Sequence, residues 1–175
     1  MDHLWTPWRY QYLSQPGLPS GCIFCVMAAE DKDADNYILY RGELNFVVLN
    51  RFPYTAGHVM IAPYQHVATL EQSPKDVLLE MMRLAQRAET NLRAVYGPDG
   101  LNIGLNIGAS AGAGVAGHIH MHVVPRWPGD SNFMTTIGET RVVPEDLKTT
   151  YQKLAQMAWA EREGKRQKAK GKRQK

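Results

Sequence analysis

The stretch Gly108-Ala109-Ser110-Ala111-Gly112-Ala113-Gly114-Val115-Ala116-Gly117-His118-Ile119-His120-Met121-His122-Val123-Val124-Pro125-Arg126 decides the reading of this chain. Its second half alternates. Side chains on a strand point to opposite faces in turn, so His118, His120 and His122 share one face and Ile119, Met121 and Val123 the other. Three imidazoles in strict alternation admit two functional readings. The row could ligate a metal, since imidazole is a common zinc ligand. Alternatively, one histidine could be a nucleophile whose neighbours orient it and bind anionic oxygens.

The first half holds nothing larger than Val115, so its backbone N–H groups can approach a ligand closely and form an anion-binding nest. Gly112 to Gly117 also satisfies the dinucleotide pattern Gly-x-Gly-x-x-Gly, which should follow a strand and open a helix. Here it enters a strand that ends at Pro125, so that reading is rejected. No Gly-Lys-Ser/Thr follows either, which excludes a nucleoside-triphosphate P-loop.

Upstream, Asn45–Leu49 and His58–Ala62 are rich in Val, Ile and Phe and read as strands. The Asn50–Gly57 connection, with Pro53 and Gly57, suits an antiparallel pair. The clearest helix runs from Pro74 to Tyr96, with Ser73 as N-cap, Pro74 as the first helical residue and Asp76 in the first turn. Val77, Met81, Leu84, Ala88, Leu92 and Val95 recur at helical spacing, and Gly97-Pro98 stops the helix. A second amphipathic helix is expected after Pro144, with Leu147, Tyr151, Leu154 and Ala158 on one face. Residues 30–36 read as an acidic surface loop. The repeat Leu101-Asn102-Ile103-Gly104 / Leu105-Asn106-Ile107-Gly108 is too brief to define an architecture.

A chain of 175 residues suits one domain with a sizeable core, and 44% hydrophobic with 21% charged residues is ordinary globular composition. The net charge of +3 suggests nucleic acid until the chain is divided. Residues 161–175 hold eight of the twenty basic and two of the seventeen acidic residues, leaving a body of net −3. The basicity belongs to a tail. Three segments follow: an aromatic arm over 1–20 (Trp5, Trp8, Tyr10, Tyr12), one domain over 21–160, and a solvated basic tail over 161–175. No apolar run approaches the roughly 20 residues of a membrane span. The start, Met1-Asp2-His3-Leu4-Trp5, has no basic segment leading into an apolar one, so no secretory leader is expected. A reduced, cytoplasmic setting is the simplest fit to two cysteines, Cys22 and Cys25.

The Gly-rich loop followed by His-φ-His-φ-His-φ-φ-Pro-Arg (φ apolar) resembles the histidine-triad (HIT) family signature, matched by His118 to Arg126. Asn50-Arg51-Phe52-Pro53 and Gly57-His58-Val59-Met60-Ile61-Ala62-Pro63 are similar to the family's nucleotide-binding hairpin, and the likeness covers about residues 20–130. Trp5-Thr6-Pro7-Trp8-Arg9 and Arg126 to Met134 resemble the bacterial branch that contains diadenosine tetraphosphate phosphorylases. The resemblance implies an α+β fold, with an antiparallel sheet of about five strands, a long packed helix and a C-terminal helix, in a homodimer. It also implies catalysis on the triad: His120 attacks the α-phosphorus of a nucleotide, His122 contacts the phosphate and His118 completes the row. Asn50 would bind the ribose hydroxyls. Asn106, Ser110 and the Gly112–Gly114 backbone would hold phosphate oxygens. Neutral imidazole is a competent nucleophile near pH 7, and backbone donors stabilise developing phosphoryl charge.

Many family hydrolases carry Ala-Gly-Gln-Ser-Val before the triad, whereas this chain has Ala111-Gly112-Ala113-Gly114-Val115 with no Gln. The loss would leave room for inorganic phosphate as acceptor. A dinucleoside polyphosphate phosphorylase is therefore the leading expectation, with a family hydrolase or nucleoside phosphoramidase as alternative.

Cys22-Ile23-Phe24-Cys25 has metal-ligand spacing but lacks a second Cys pair, and no βαβ pattern around it supports a redox site. Two ordinary buried cysteines remain an open reading. The family resemblance implies a structural zinc held by Cys22, Cys25, His66 and His118. Two readings of another class are a zinc-dependent hydrolase, with the His row holding the metal, and a non-enzymatic nucleotide-binding module. Nucleic acid is expected to touch the tail at most. His58 at a strand start reads as a hydrogen-bonding structural residue, His3 as exposed, and Arg126 as either a phosphate or a carboxylate partner.

Overall fold

The computed structural model describes residues 21–131, 135, 137 and 144–160. The aromatic arm with His3, the segment Asn132-Phe133-Met134 and the basic tail lie outside the described residues. In chain order the elements are α1 (Ile23–Ala29), α2 (Asp33–Asn36), β1 (Ile38–Arg41), β2 (Asn45–Leu49), β3 (Val59–Pro63), α3 (Lys75–Tyr96), β4 (Gly100–Leu105), β5 (Met121–Arg126) and α4 (Leu147–Ala155). A 3-10 turn, Ala109–Ala111, lies between β4 and β5.

The strands form one antiparallel sheet in the order β1-β2-β3-β5-β4. Strand alternation sorts its two faces. Val47 and Leu49 of β2, Val59 and Ile61 of β3, and Met121 and Val123 of β5 join Met81, Leu84, Ala85, Ala88 and Leu92 of α3 in one core. Phe46, Val48, Met60 and Ala62 turn the other way and pack with Phe24 and Met27 of α1. Met60 pairs with His122 across the β3–β5 ladder, so the histidine side of β5 is the α1 side. The expected α+β class, five strands, long helix and C-terminal helix are all present.

Several local expectations change. Pro74 is the N-cap of α3, because its ψ of 149° is extended, and its carbonyl accepts the Leu78 N–H. Ser73 lies one residue before the cap and no side chain caps the helix; its hydroxyl is turned back to donate to the Thr69 carbonyl at 2.8 Å. The stop is as read: Gly97 takes φ 53° and donates to Arg93 O. α4 is capped by the Asp146 carboxylate on Thr149 N–H. Ala158 falls beyond that helix and is exposed; Trp159 is buried instead, its indole N–H donating to Leu154 O. The acidic segment contains α2, ended by Tyr37 at φ 57°, because Asn36 is buried and donates to Glu30. The Leu-Asn-Ile-Gly repeat supplies the edge strand β4, and the β5 ladder begins only at Met121, after His118 and His120.

Candidate active site and metal centre

The imidazole row runs inward from a cluster of sulfur and nitrogen donors. Cys22 is the N-cap of α1 and Cys25 lies in its first turn; His66 follows the end of β3, and His118 precedes β5. Their four ligand atoms lie within 4.8 Å of one another. Cys22 Sγ is 3.2 Å and Cys25 Sγ 3.6 Å from His118 Nδ1, and Cys25 Sγ is 3.3 Å from His66 Nδ1. His118 Nε2–H donates to the Pro63 carbonyl at 2.8 Å, so Nδ1 carries the lone pair on the thiol side. Two thiols and two imidazoles suit a borderline-soft divalent cation, and a carbonyl behind a ligating imidazole is the usual orienting partner. Burial and the neighbouring Cys22 push the Cys25 thiol above its ordinary range, a bias that a coordinated cation reverses.

His120 lies one step further along, 4% exposed, with its ring 4.8 Å from Phe24 and 4.9 Å from His122. Its Nδ1 sits 2.9 Å from the His118 carbonyl. A carbonyl only accepts, so Nδ1 holds the proton and Nε2 the lone pair. Burial lowers the His120 pKa and keeps the ring neutral.

The third imidazole is set by a chain of bonds from the β2–β3 connection. Tyr54 N–H donates to His58 Nδ1 at 3.2 Å. His58 Nε2 therefore carries the hydrogen and donates to His122 Nδ1 at 2.9 Å, which leaves the His122 proton on Nε2. Burial, with His120 beside it, lowers the His122 pKa to about 4. His58 is 1% exposed, and the hydrogen-bonding role read for it has a direct object in His122.

One cavity gathers much of the expected set. His120, His122, Asn50, Gly112 and Gly114 all line it. Asn50 is held at both ends of its amide: Oδ1 accepts Phe52 N–H at 2.9 Å, and Nδ2 lies 3.3 Å from His58 Nδ1. Gly112 closes the 3-10 turn at φ 89°, a left-handed position that favours glycine. Asn106, half-buried just past β4, and Ser110, exposed on the turn, are not among the residues lining this cavity. Arg126 pairs with Asp130 through two bonds, the shorter 2.5 Å, and with Asn102 at 2.7 Å.

Sequence reasoning missed the cavity's apolar wall: Ile23, Phe24 and Met27 from α1, and Leu49 and Met60 from the sheet. The spacing Ile23, Phe24, Met27 was the available signal, one face of a short helix. It also missed Arg51, a cation on the wall whose guanidinium donates to Asn36 Oδ1 at 3.1 Å. Among the described residues, the cluster of metal-capable groups takes in His118 and leaves out His120 and His122, which line the cavity instead.

A five-stranded antiparallel sheet with this histidine row defines a histidine-triad fold. Residues 31–129 match the HIT domain, and the chain belongs to that family. Among its relatives is a protein of Mycobacterium tuberculosis named AP-4-A phosphorylase, 38% identical over 167 residues, 91% of this chain and 85% of the relative. A zinc-bound histidine triad family protein of Mycobacterium smegmatis superposes with a TM-score of 0.63 at 31% identity, covering 77% of this chain and 91% of that one. A HIT family member of Bacillus subtilis gives 0.58 at 27% identity, covering 79% and 99%.

Proposed function

We propose that this chain is a nucleotidyl transferase that cleaves dinucleoside polyphosphates of the diadenosine tetraphosphate type and passes the nucleotidyl group to inorganic phosphate. The observation that carries the reading is the fixed tautomer of His120 at the cavity wall: its Nδ1 proton is tied to the His118 carbonyl, and Nε2 keeps the lone pair. Nε2 attacks the α-phosphorus, and the P–O bond to the rest of the substrate breaks. The leaving group is a nucleoside triphosphate when the substrate is a tetraphosphate. A phosphate oxygen then attacks the same phosphorus, the P–N bond breaks, and a nucleoside diphosphate leaves. His122 Nε2–H is a donor for the phosphoryl oxygens, and Asn50 serves the ribose. Asn106, Ser110 and the Gly112–Gly114 backbone act as further oxygen ligands in this reading.

The naming of the 38%-identical relative supports the substrate class. The absence of a Gln from Ala111 to Gly117, where family hydrolases carry one, supports phosphate over water as acceptor. Cys22, Cys25, His66 and His118 would hold a structural zinc, whose chemistry is to cross-link the chain and polarise no substrate. The catalytic unit is residues 21–160, acting as a homodimer. Free Cys22 and Cys25 fit a reducing cytoplasm, and among the described residues no helix is long and apolar enough to cross a membrane.

Diadenosine tetraphosphate supplied with phosphate should yield ADP and ATP, and a His120→Ala variant should yield neither while keeping its metal content. Release of AMP at the same rate without phosphate would assign the chain to the hydrolases instead.

A further inference from the structure

The cavity wall formed by α1 is a helix that cannot hold itself. Seven residues are fewer than an isolated helix needs, by about half. No side chain caps its N-terminus, its first turn has no acid and its last turn no base. Its exit residue Glu30 is extended at φ −85°, ψ 140°, so no left-handed C-cap gathers the last carbonyls. Both ends are instead secured from elsewhere. At the N-terminus stand Cys22 and Cys25, facing His66 and His118.

At the C-terminus stands Arg41, from the end of β1. Its Nη1–H donates to Ala28 O at 2.7 Å, and Nη2–H donates to Glu30 O at 2.7 Å and to Met27 O at 3.3 Å. Nε–H is held by Asp33 Oδ1 at 2.9 Å, and the Asp33 hydrogen bond raises the Arg41 pKa. A fixed cation over the orphan carbonyls is the arrangement that favours a helix C-terminus, in both hydrogen bonding and dipole. Met27, whose carbonyl Arg41 holds, lines the same cavity as His120.

We propose that Arg41 is a positioning residue for the nucleoside: acting through α1, it holds the Met27 end of the cavity wall and so sets affinity for the base-bearing half of the substrate. The inference rests on the cavity being the nucleotide site, as proposed above. It separates the two ends of the helix. Phe24, beside the thiol end, keeps its place against His120 when Arg41 is lost, while the Met27 turn frays.

The test compares Arg41→Met, Arg41→Lys and the milder Asp33→Asn with the unaltered protein, measuring AMP affinity, steady-state kinetics, bound metal and amide exchange. For Arg41→Met, the AMP dissociation constant and KM should rise about tenfold, the scale of losing charge-assisted hydrogen bonds. Its kcat should change less than threefold, metal content should be constant, and faster exchange should be confined to residues 26–30. Arg41→Lys should recover part of the affinity, and Asp33→Asn should lose a smaller part. Unchanged AMP affinity in Arg41→Met and Asp33→Asn overturns the proposal, as does a fall in kcat at constant KM. Failure of the unaltered protein to bind AMP would overturn the nucleotide reading itself, and Arg41 with it. If Arg41→Met does not fold, Asp33→Asn alone decides.

Discussion

A buried neutral imidazole that accepts a backbone N–H at one nitrogen has a single tautomer left to it. His58 is in that position, and the constraint passes to His122 through the 2.9 Å bond between them. Replacing His58 by Ala removes the donor, frees the second tautomer of His122 and leaves a gap beside it. We expect turnover to fall about ten- to hundredfold with metal content unchanged, the scale at which orienting partners act. Steady-state kinetics and metal analysis check this, and an unaltered kcat would show that His122 needs no such partner. A Cys22→Ala variant probes the other end of the row. It should lose bound metal and melt at lower temperature, because three donors cannot close a tetrahedral site as four do.

The elements that were legible in the sequence are those whose own residues secure them. β2 and β3 announce themselves because Phe46-Val47-Val48-Leu49 and Val59-Met60-Ile61-Ala62 bury both faces and are joined by Pro and Gly. α3 is long enough for its apolar stripe to repeat, and Gly97 marks its end. α1 was not legible because its ends are secured by His66, His118 and Arg41, residues distant in sequence. The same division runs through the site. His120, His122, Asn50, Gly112 and Gly114 carry chemistry in their side chains or spacing and meet around one cavity, whereas Phe24, Met27 and Tyr54 are ordinary apolar or aromatic residues until the fold places them.

The β2–β3 connection shows how tightly that placement is drawn. Gly57 has φ 77°, and an added Cβ would lie 3.0 Å from both Leu92 Cδ2 and Tyr96 Cε2. Gly57→Ala should destabilise the protein by about 2 kcal/mol through strain and crowding together, read as a lower denaturant midpoint.

For the whole molecule, acid is the informative perturbation. His122 takes up its proton near pH 4 when folded and near 6.5 when unfolded. Between those values the unfolded chain binds more protons, so stability rises with pH across the interval and is lost as pH falls from 6.5 toward 4. The groups facing His122 are His58, His120 and Tyr54, none of them an acid that would counter this. Urea midpoints at pH 7, 5.5 and 4.5 should decline in that order, and His122→Gln should flatten the slope. Equal midpoints in the unaltered protein would contradict the assigned protonation state. Although the body carries net −3, Arg51, two glycines of the Gly-rich segment and two imidazoles of lowered pKa line the cavity.

The separation of Cys22 from His118 by 96 positions has a kinetic meaning. A nascent or refolding chain can offer a metal only the two neighbouring thiols, because the other donors arrive when distant strands pair. Loop-closure entropy grows slowly with length, yet it is charged before any of these contacts form. The last piece of the cluster, His118, is two residues from His120, so the segment that completes the cluster also places the His120 ring. Refolding followed by stopped flow should show tight metal uptake and catalytic competence arriving in a single phase. Two resolved phases, with the metal first, would mean that the cluster nucleates the fold and does not report its completion.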